Sequence, residues 1–91
     1  MIKINIEYMA QLRLRADAPS EVITLEEGSR IADLLLAIAK KNGEALRSLI
    51  LEEDGLPSNT LLCFVGDDQE FSDFVLSDGQ RVTLMPPISG G

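Results

Sequence analysis

The chain has 91 residues, 45% hydrophobic and 25% charged, with a net charge of −7 and no histidine. That length holds one domain with one modest core. No apolar run approaches the ~20 residues of a membrane span, and the composition excludes imidazole as a base or metal ligand.

The charge is unevenly placed. Residues 1–50 carry seven bases and seven acids, whereas residues 51–91 carry eight acids and a single base, Arg81. This argues against nucleic acid as a partner, because phosphate binding needs a basic surface. It suits solubility, or docking on a basic protein surface.

Ile2, Ile4 and Ile6 alternate with Lys3, Asn5 and Glu7, the pattern of a half-buried strand, and Tyr8 continues the inward phase. The N-terminus therefore reads as a strand and not as a signal peptide, and a cytoplasmic location is expected. Residues 12–20 read as a loop. Residues 21–26 read as a second strand with Ile23 and Leu25 on one face, forming a hairpin with the first.

Gly28-Ser29 then opens a helix, with Ser29 as the expected N-cap. Ile31, Leu34, Leu35 and Ile38 recur at i, i+3, i+4 and i+7, an amphipathic stripe. Lys40 and Lys41 complement the dipole in the last turn, and Asn42-Gly43 supplies a left-handed stop. Residues 44–50 add a further helical turn or two.

Residues 52–59 form a loop. Thr60 to Val65 is an apolar run of the length of a buried strand, Gly66-Asp67-Asp68 is a turn, and a short strand is expected near Phe74–Leu76. After the Ser77-Asp78-Gly79 turn, residues 80–85 make the last strand. One helix across one face of a mixed sheet buries all these apolar faces. With the first and last strands parallel at its centre, the expected class is α+β, a ubiquitin-like β-grasp over 1–85 with a flexible tail over 86–91. Other small α+β folds share this element order.

No side-chain active site emerges. There is no phosphate-binding glycine loop. Asp67, Asp68, Glu70 and Asp73 lack calcium-loop spacing and read as a solvated hairpin. Cys63, the sole cysteine, lies in Leu61-Leu-Cys-Phe-Val and reads as a buried, inert thiol.

Two other features stand out. Met9 and Met85 fall on the phase opposite to the buried residues of their strands. If those strands are parallel neighbours, the two come together as an exposed apolar patch at one end of the sheet, or else cap the core where strands twist. Beyond them runs Pro86-Pro87-Ile88-Ser89-Gly90-Gly91. The prolines cannot extend a sheet, and glycine passes where no Cβ fits. Such an end suits insertion into another protein's active site, with the Gly91 carboxylate as the reacting group. A terminal Gly-Gly also fits an ordinary frayed end.

With Ala10-Gln11-Leu12-Arg13 after the first strand, Leu76-Ser-Asp-Gly-Gln-Arg-Val before the end and the Pro-Pro-x-x-Gly-Gly ending, the whole chain resembles the MoaD/ThiS family of ubiquitin-like sulfur carriers. The ending and the length are more similar to MoaD, the small subunit of molybdopterin synthase. The resemblance implies a carrier with no bound cofactor and no catalysis of its own. A ubiquitin-activating-type enzyme would use ATP to adenylate Gly91, and a sulfur donor would convert the adenylate to a thiocarboxylate. A MoaE-like large subunit would then receive the tail, with Gly90 helping it thread, in molybdopterin synthesis.

Met9 and Met85 stand where the family often has interface aromatics. Residues 17–20 lack the usual glycine-bearing turn, and Gly66-Asp67-Asp68 replaces the usual asparagine of the third strand. These departures leave the client open. Thiamine, cysteine and siderophore pathways use related tails, and some archaeal relatives are joined to lysines as modifiers. A purely non-covalent interaction domain is the third reading.

Overall fold

The computed structural model describes residues 1–87 of the 91. In chain order it contains β1 (Ile2–Tyr8), α1 (Gln11–Arg15), β2 (Ser20–Leu25), α2 (Ile31–Asn42), α3 (Glu44–Ile50), β3 (Leu62–Val65), β4 (Asp68–Glu70) and β5 (Arg81–Met85). The strands form one sheet in the order β2-β1-β5-β3-β4. β1 and β5 are parallel, with Ile6 beside Val82 and Tyr8 beside Leu84, and every other pairing is antiparallel. This is the β-grasp.

The alternation in β1 does what its spacing dictates. Ile2, Ile4, Ile6 and Tyr8 are buried against the helices, together with Val82 and Leu84 of β5 and the α2 stripe of Ile31, Leu34, Leu35 and Ile38. At roughly 1.5–3 kcal/mol for each large apolar side chain, this layer is the main source of stability. Gly43, with φ of 91°, ends α2 and opens α3 without a break. A side chain there would be strained.

Three expectations are corrected. Residues 12–15, expected as the start of a loop, belong to the helix α1, because Leu12 is fully buried and a short turn carries it into the core. Ser29 does not cap α2. The Asp33 carboxylate accepts from the Arg30 amide at 2.8 Å, while the Ile31 and Ala32 amides donate to the Phe74 and Ser72 carbonyls, both at 3.0 Å. Those bonds also explain the third correction. The backbone near Phe74–Leu76 is spent on the start of α2, including Leu76 N–H to the Ser29 carbonyl at 2.8 Å, and only Val75 makes an isolated bridge, to Arg30. The short strand is instead β4, the polar Asp68–Glu70.

Candidate functional site

The helices cover one face of the sheet and leave the other open. On the open face stand the residues out of phase with the core: Glu7 and Met9, Arg81, Thr83 and Met85, and Leu62 and Phe64. The register brings the apolar ones together. Leu62 pairs directly with Met85, and the Met9 amide donates to the Leu84 carbonyl at 3.0 Å, which sets Met9 at the level of Met85 on the parallel strand. Met9, Met85 and Leu62 thus form a row across three neighbouring strands. Phe64 lies next to it, opposite Thr83. All four are half-buried rather than fully exposed.

Phase along the sequence singles out Met9 and Met85 but not Leu62 and Phe64. A signal for the second pair exists, since Cys63 and Val65 point inward and must leave Leu62 and Phe64 on the other face. Apolar residues on both phases, however, read as a strand buried on both sides.

The row lies at the end of the sheet where β5 finishes. Pro86 follows, half-buried, and then Pro87, exposed. Ile88, Ser89, Gly90 and Gly91 lie outside the described residues. The surroundings of the row are of mixed charge. Glu7, Met9, Thr83, Arg81, Gly66 and Asp67 line one shallow depression, and the Glu7–Arg81 ion pair is long, at 3.7 Å, and solvated.

Beside Met9, Ala10 adopts φ 53° and ψ −131°, a backbone region that favours glycine. It turns the chain from β1 into α1, with the Leu12 and Arg13 amides donating to the Met9 and Ala10 carbonyls at 3.2 and 3.1 Å.

Side-chain chemistry is sparse. Cys63 is buried, and burial pushes its thiol up to about 11, which leaves it protonated at neutral pH. Among the described residues no group of three or more Cys, Asp or Glu is placed to hold a metal. The most connected polar group is Glu21, on the helix side of the sheet. It accepts from the Tyr8 hydroxyl and from Asn42 Nδ2 at 3.1 Å, and pairs with Lys41 Nζ at 2.7 Å. These bonds tie β1 and β2 to the end of α2. What the geometry offers is a half-buried apolar row beside Pro86 and Pro87.

The model of the ThiS family matches residues 6–91. The chain belongs to the ThiS family. No curated protein matches it by sequence. Among solved structures, this ThiS-family chain is similar to SAMP1 from Haloferax volcanii, with a TM-score of 0.88 and 20% identity over 98% of this chain and 99% of the other. It is similar to the Pyrococcus furiosus protein described as molybdopterin converting factor subunit 1, with a TM-score of 0.80 and 27% identity over 97% and 100%. It is also similar to a chain of the complex of subunits 1 and 2 of molybdopterin-converting factor from Helicobacter pylori, with a TM-score of 0.63 and 16% identity over 99% and 100%.

Proposed function

We propose that this chain is a sulfur carrier whose reacting group is the C-terminal carboxylate of Gly91. The observation that carries the reading is the apolar row of Met9, Met85 and Leu62 at the end of β5, in a ThiS-family chain that closes on Gly90-Gly91.

A free carboxylate is a poor acyl donor, because it is a resonance-stabilised anion. A ubiquitin-activating-type enzyme removes that obstacle. The Gly91 carboxylate attacks the α-phosphorus of ATP, pyrophosphate leaves, and an acyl-adenylate remains. A sulfur nucleophile then displaces AMP and leaves a thiocarboxylate, a soft nucleophile that a partner can shield from water. The carrier is recognised through the open face and presents the tail, Pro86 to Gly91. The client we favour is molybdopterin synthesis, with a MoaE-like large subunit as receiver. The likeness to the Pyrococcus and Helicobacter proteins supports this choice, the latter being a complex with a second subunit.

A second reading has its own support. The likeness to SAMP1 is greater in shape, and a small archaeal modifier protein suggests conjugation through Gly91 to lysines.

Intact-mass analysis of protein from its native host separates the two. A carrier gains the mass of one oxygen-to-sulfur exchange, and a modifier is found attached to other proteins. Pyrophosphate exchange with the cognate activating enzyme tests the step both share. It should be lost on deleting Gly91 or adding one residue after it, with the unfolding midpoint unchanged. Full exchange by the extended chain, with no protease present, would sink both readings.

A further inference from the structure

A second groove lies at the far end of the sheet, beyond the apolar row. Its lining includes Leu56, Pro57, Leu61, Glu70 and Phe71, and its volume is about 470 Å³. Leu56 and Phe71 are 62% and 68% exposed, although both are large and apolar. Single exposed hydrophobes are ordinary, but two lining one groove are a different matter.

The loop that carries Leu56 is held firmly. Glu52 N–H donates to the Leu56 carbonyl at 2.8 Å, Gly55 N–H to the Glu52 carbonyl at 2.9 Å, Leu56 N–H to Asp54 Oδ1 at 3.0 Å, and Ser58 N–H to the Ile50 carbonyl at 2.9 Å. Phe71 is braced by its carbonyl, which accepts from the Phe74 amide at 2.9 Å. The groove is therefore preformed.

Its lining includes Gln69 and Glu70 of β4, the last strand of the sheet, which among the described residues has a partner on one side only. An unpaired strand edge offers backbone donors and acceptors to another extended segment. The charge decides which segment. Glu70 lines the groove, Glu52, Glu53 and Asp54 precede Leu56 in its loop, and Asp67, Asp68 and Asp73 lie on and around β4. No lysine or arginine occurs between Arg47 and Arg81. None of those seven carboxylates makes an ion pair among the described residues. Arg30 reaches this side, but its guanidinium donates to the backbone carbonyl of Asp73 at 3.0 Å. A second copy of this chain would set one acidic edge against another and be repelled. A basic strand would be drawn in.

We propose that this groove docks an extended, lysine- or arginine-rich segment of a protein partner along the free edge of β4, with one large apolar side chain seated between Leu56 and Phe71. Leu62 lines the groove and also belongs to the apolar row, so the two surfaces are continuous. One partner can therefore occupy both. Docking here needs no chemistry at Gly91.

The test uses the full chain as bait for a phage-displayed library of random peptides, with binding measured by calorimetry and mapped by amide chemical shifts. Selected peptides should combine several Lys or Arg with one large apolar residue, and should shift residues 56–58 and 69–72. Leu56→Ser and Phe71→Ser should each weaken them about tenfold, the scale of a lost anchor. The paired change Asp68→Lys and Glu70→Lys should weaken them further, and raising the salt should weaken the unaltered chain severalfold. A chain lacking Gly91 should bind them equally well, so failure of the carrier reading leaves this one standing. Acidic or purely apolar selected peptides, shifts confined to Met9, Met85 and Leu62, no selected peptide at all, or a dimer abolished by Phe71→Ser would each overturn the proposal.

Discussion

Tyr8, the last residue of β1, donates its hydroxyl proton to Glu21, near the start of the antiparallel strand beside it. The pair ties the β1–β2 hairpin together at its loop end, and Asn42 and Lys41 extend the tie to α2. Tyr8→Phe keeps the ring and removes the bond. It should cost about 1–2 kcal/mol, because a hydrogen bond to a charged acceptor is lost while two other donors remain on Glu21. Chemical unfolding of both proteins measures this. An unchanged midpoint would show that the hydroxyl is spectator to the fold.

The same cluster predicts how stability responds to acid. Burial by itself would raise the Glu21 carboxyl, but hydrogen bonds from Lys41, Tyr8 and Asn42 outweigh it and hold the group below its ordinary range. The unfolded chain therefore binds this proton more readily than the folded one. The contribution is complete above the pH at which an ordinary glutamate titrates, and is lost as pH falls through the lower, folded-state value. Thermal unfolding of the wild type and Glu21→Gln from pH 7 to 3 should show the acid loss reduced in the variant. Parallel curves would assign the acid response to other carboxylates.

Ala10 holds a backbone conformation that glycine reaches without strain. Relief of that strain should exceed the added entropy of the unfolded chain, so Ala10→Gly should stabilise the protein by about 1 kcal/mol. A destabilised variant would show that the Ala10 side chain contributes more than its backbone costs.

Leu84 and Met85 are adjacent and face opposite sides of the sheet. Leu84→Ala should cost about 2–5 kcal/mol of stability, since Leu84 is fully buried. Met85→Lys should cost about 1 kcal/mol or less of stability. If the proposed carrier role holds, it should weaken binding to the proposed activating enzyme and receiving subunit by about 2 kcal/mol or more. Titration of each partner, with circular dichroism as the control, separates the two effects. Unchanged affinity for both partners would take the row out of the docking site.

Cys63→Ala should remain folded, lose about 1–2 kcal/mol and keep any activity at Gly91, because the thiol is packing and not chemistry. Native protein at pH 8 should react with iodoacetamide far more slowly than unfolded protein, since burial both shields the sulfur and raises its pKa. Rapid alkylation of the folded chain would contradict the buried thiol.

The elements with a strong period are legible in the amino-acid sequence alone. β1 and α2 follow from their alternation and their stripe, whereas the order of the elements admits other small α+β folds and only the pairing of β1 with β5 makes the centre of the sheet parallel. α1 leaves little to read. It is five residues long, has no side-chain cap, and begins from an alanine in an unusual conformation. β4 escapes because Asp68, Gln69 and Glu70 have the polarity of a turn, while Phe74 to Leu76 mimic a strand with apolar residues whose backbone serves α2. On the open face, phase places Met9 and Met85. Leu62 and Phe64 require the register between β3 and β5, which no single segment contains.

The central pairing of β1 with β5 also bears on synthesis. β5 separates β1 from β3, so the sheet stays divided until Arg81–Met85 arrives. β1 pairs early with β2 but lacks its parallel neighbour until synthesis is nearly done, and a contact of such long sequence separation slows closure. A product broken off early would lack both the keystone strand and the tail that follows it. Cells would then meet chains that stop before Arg81 as unfolded protein to be cleared.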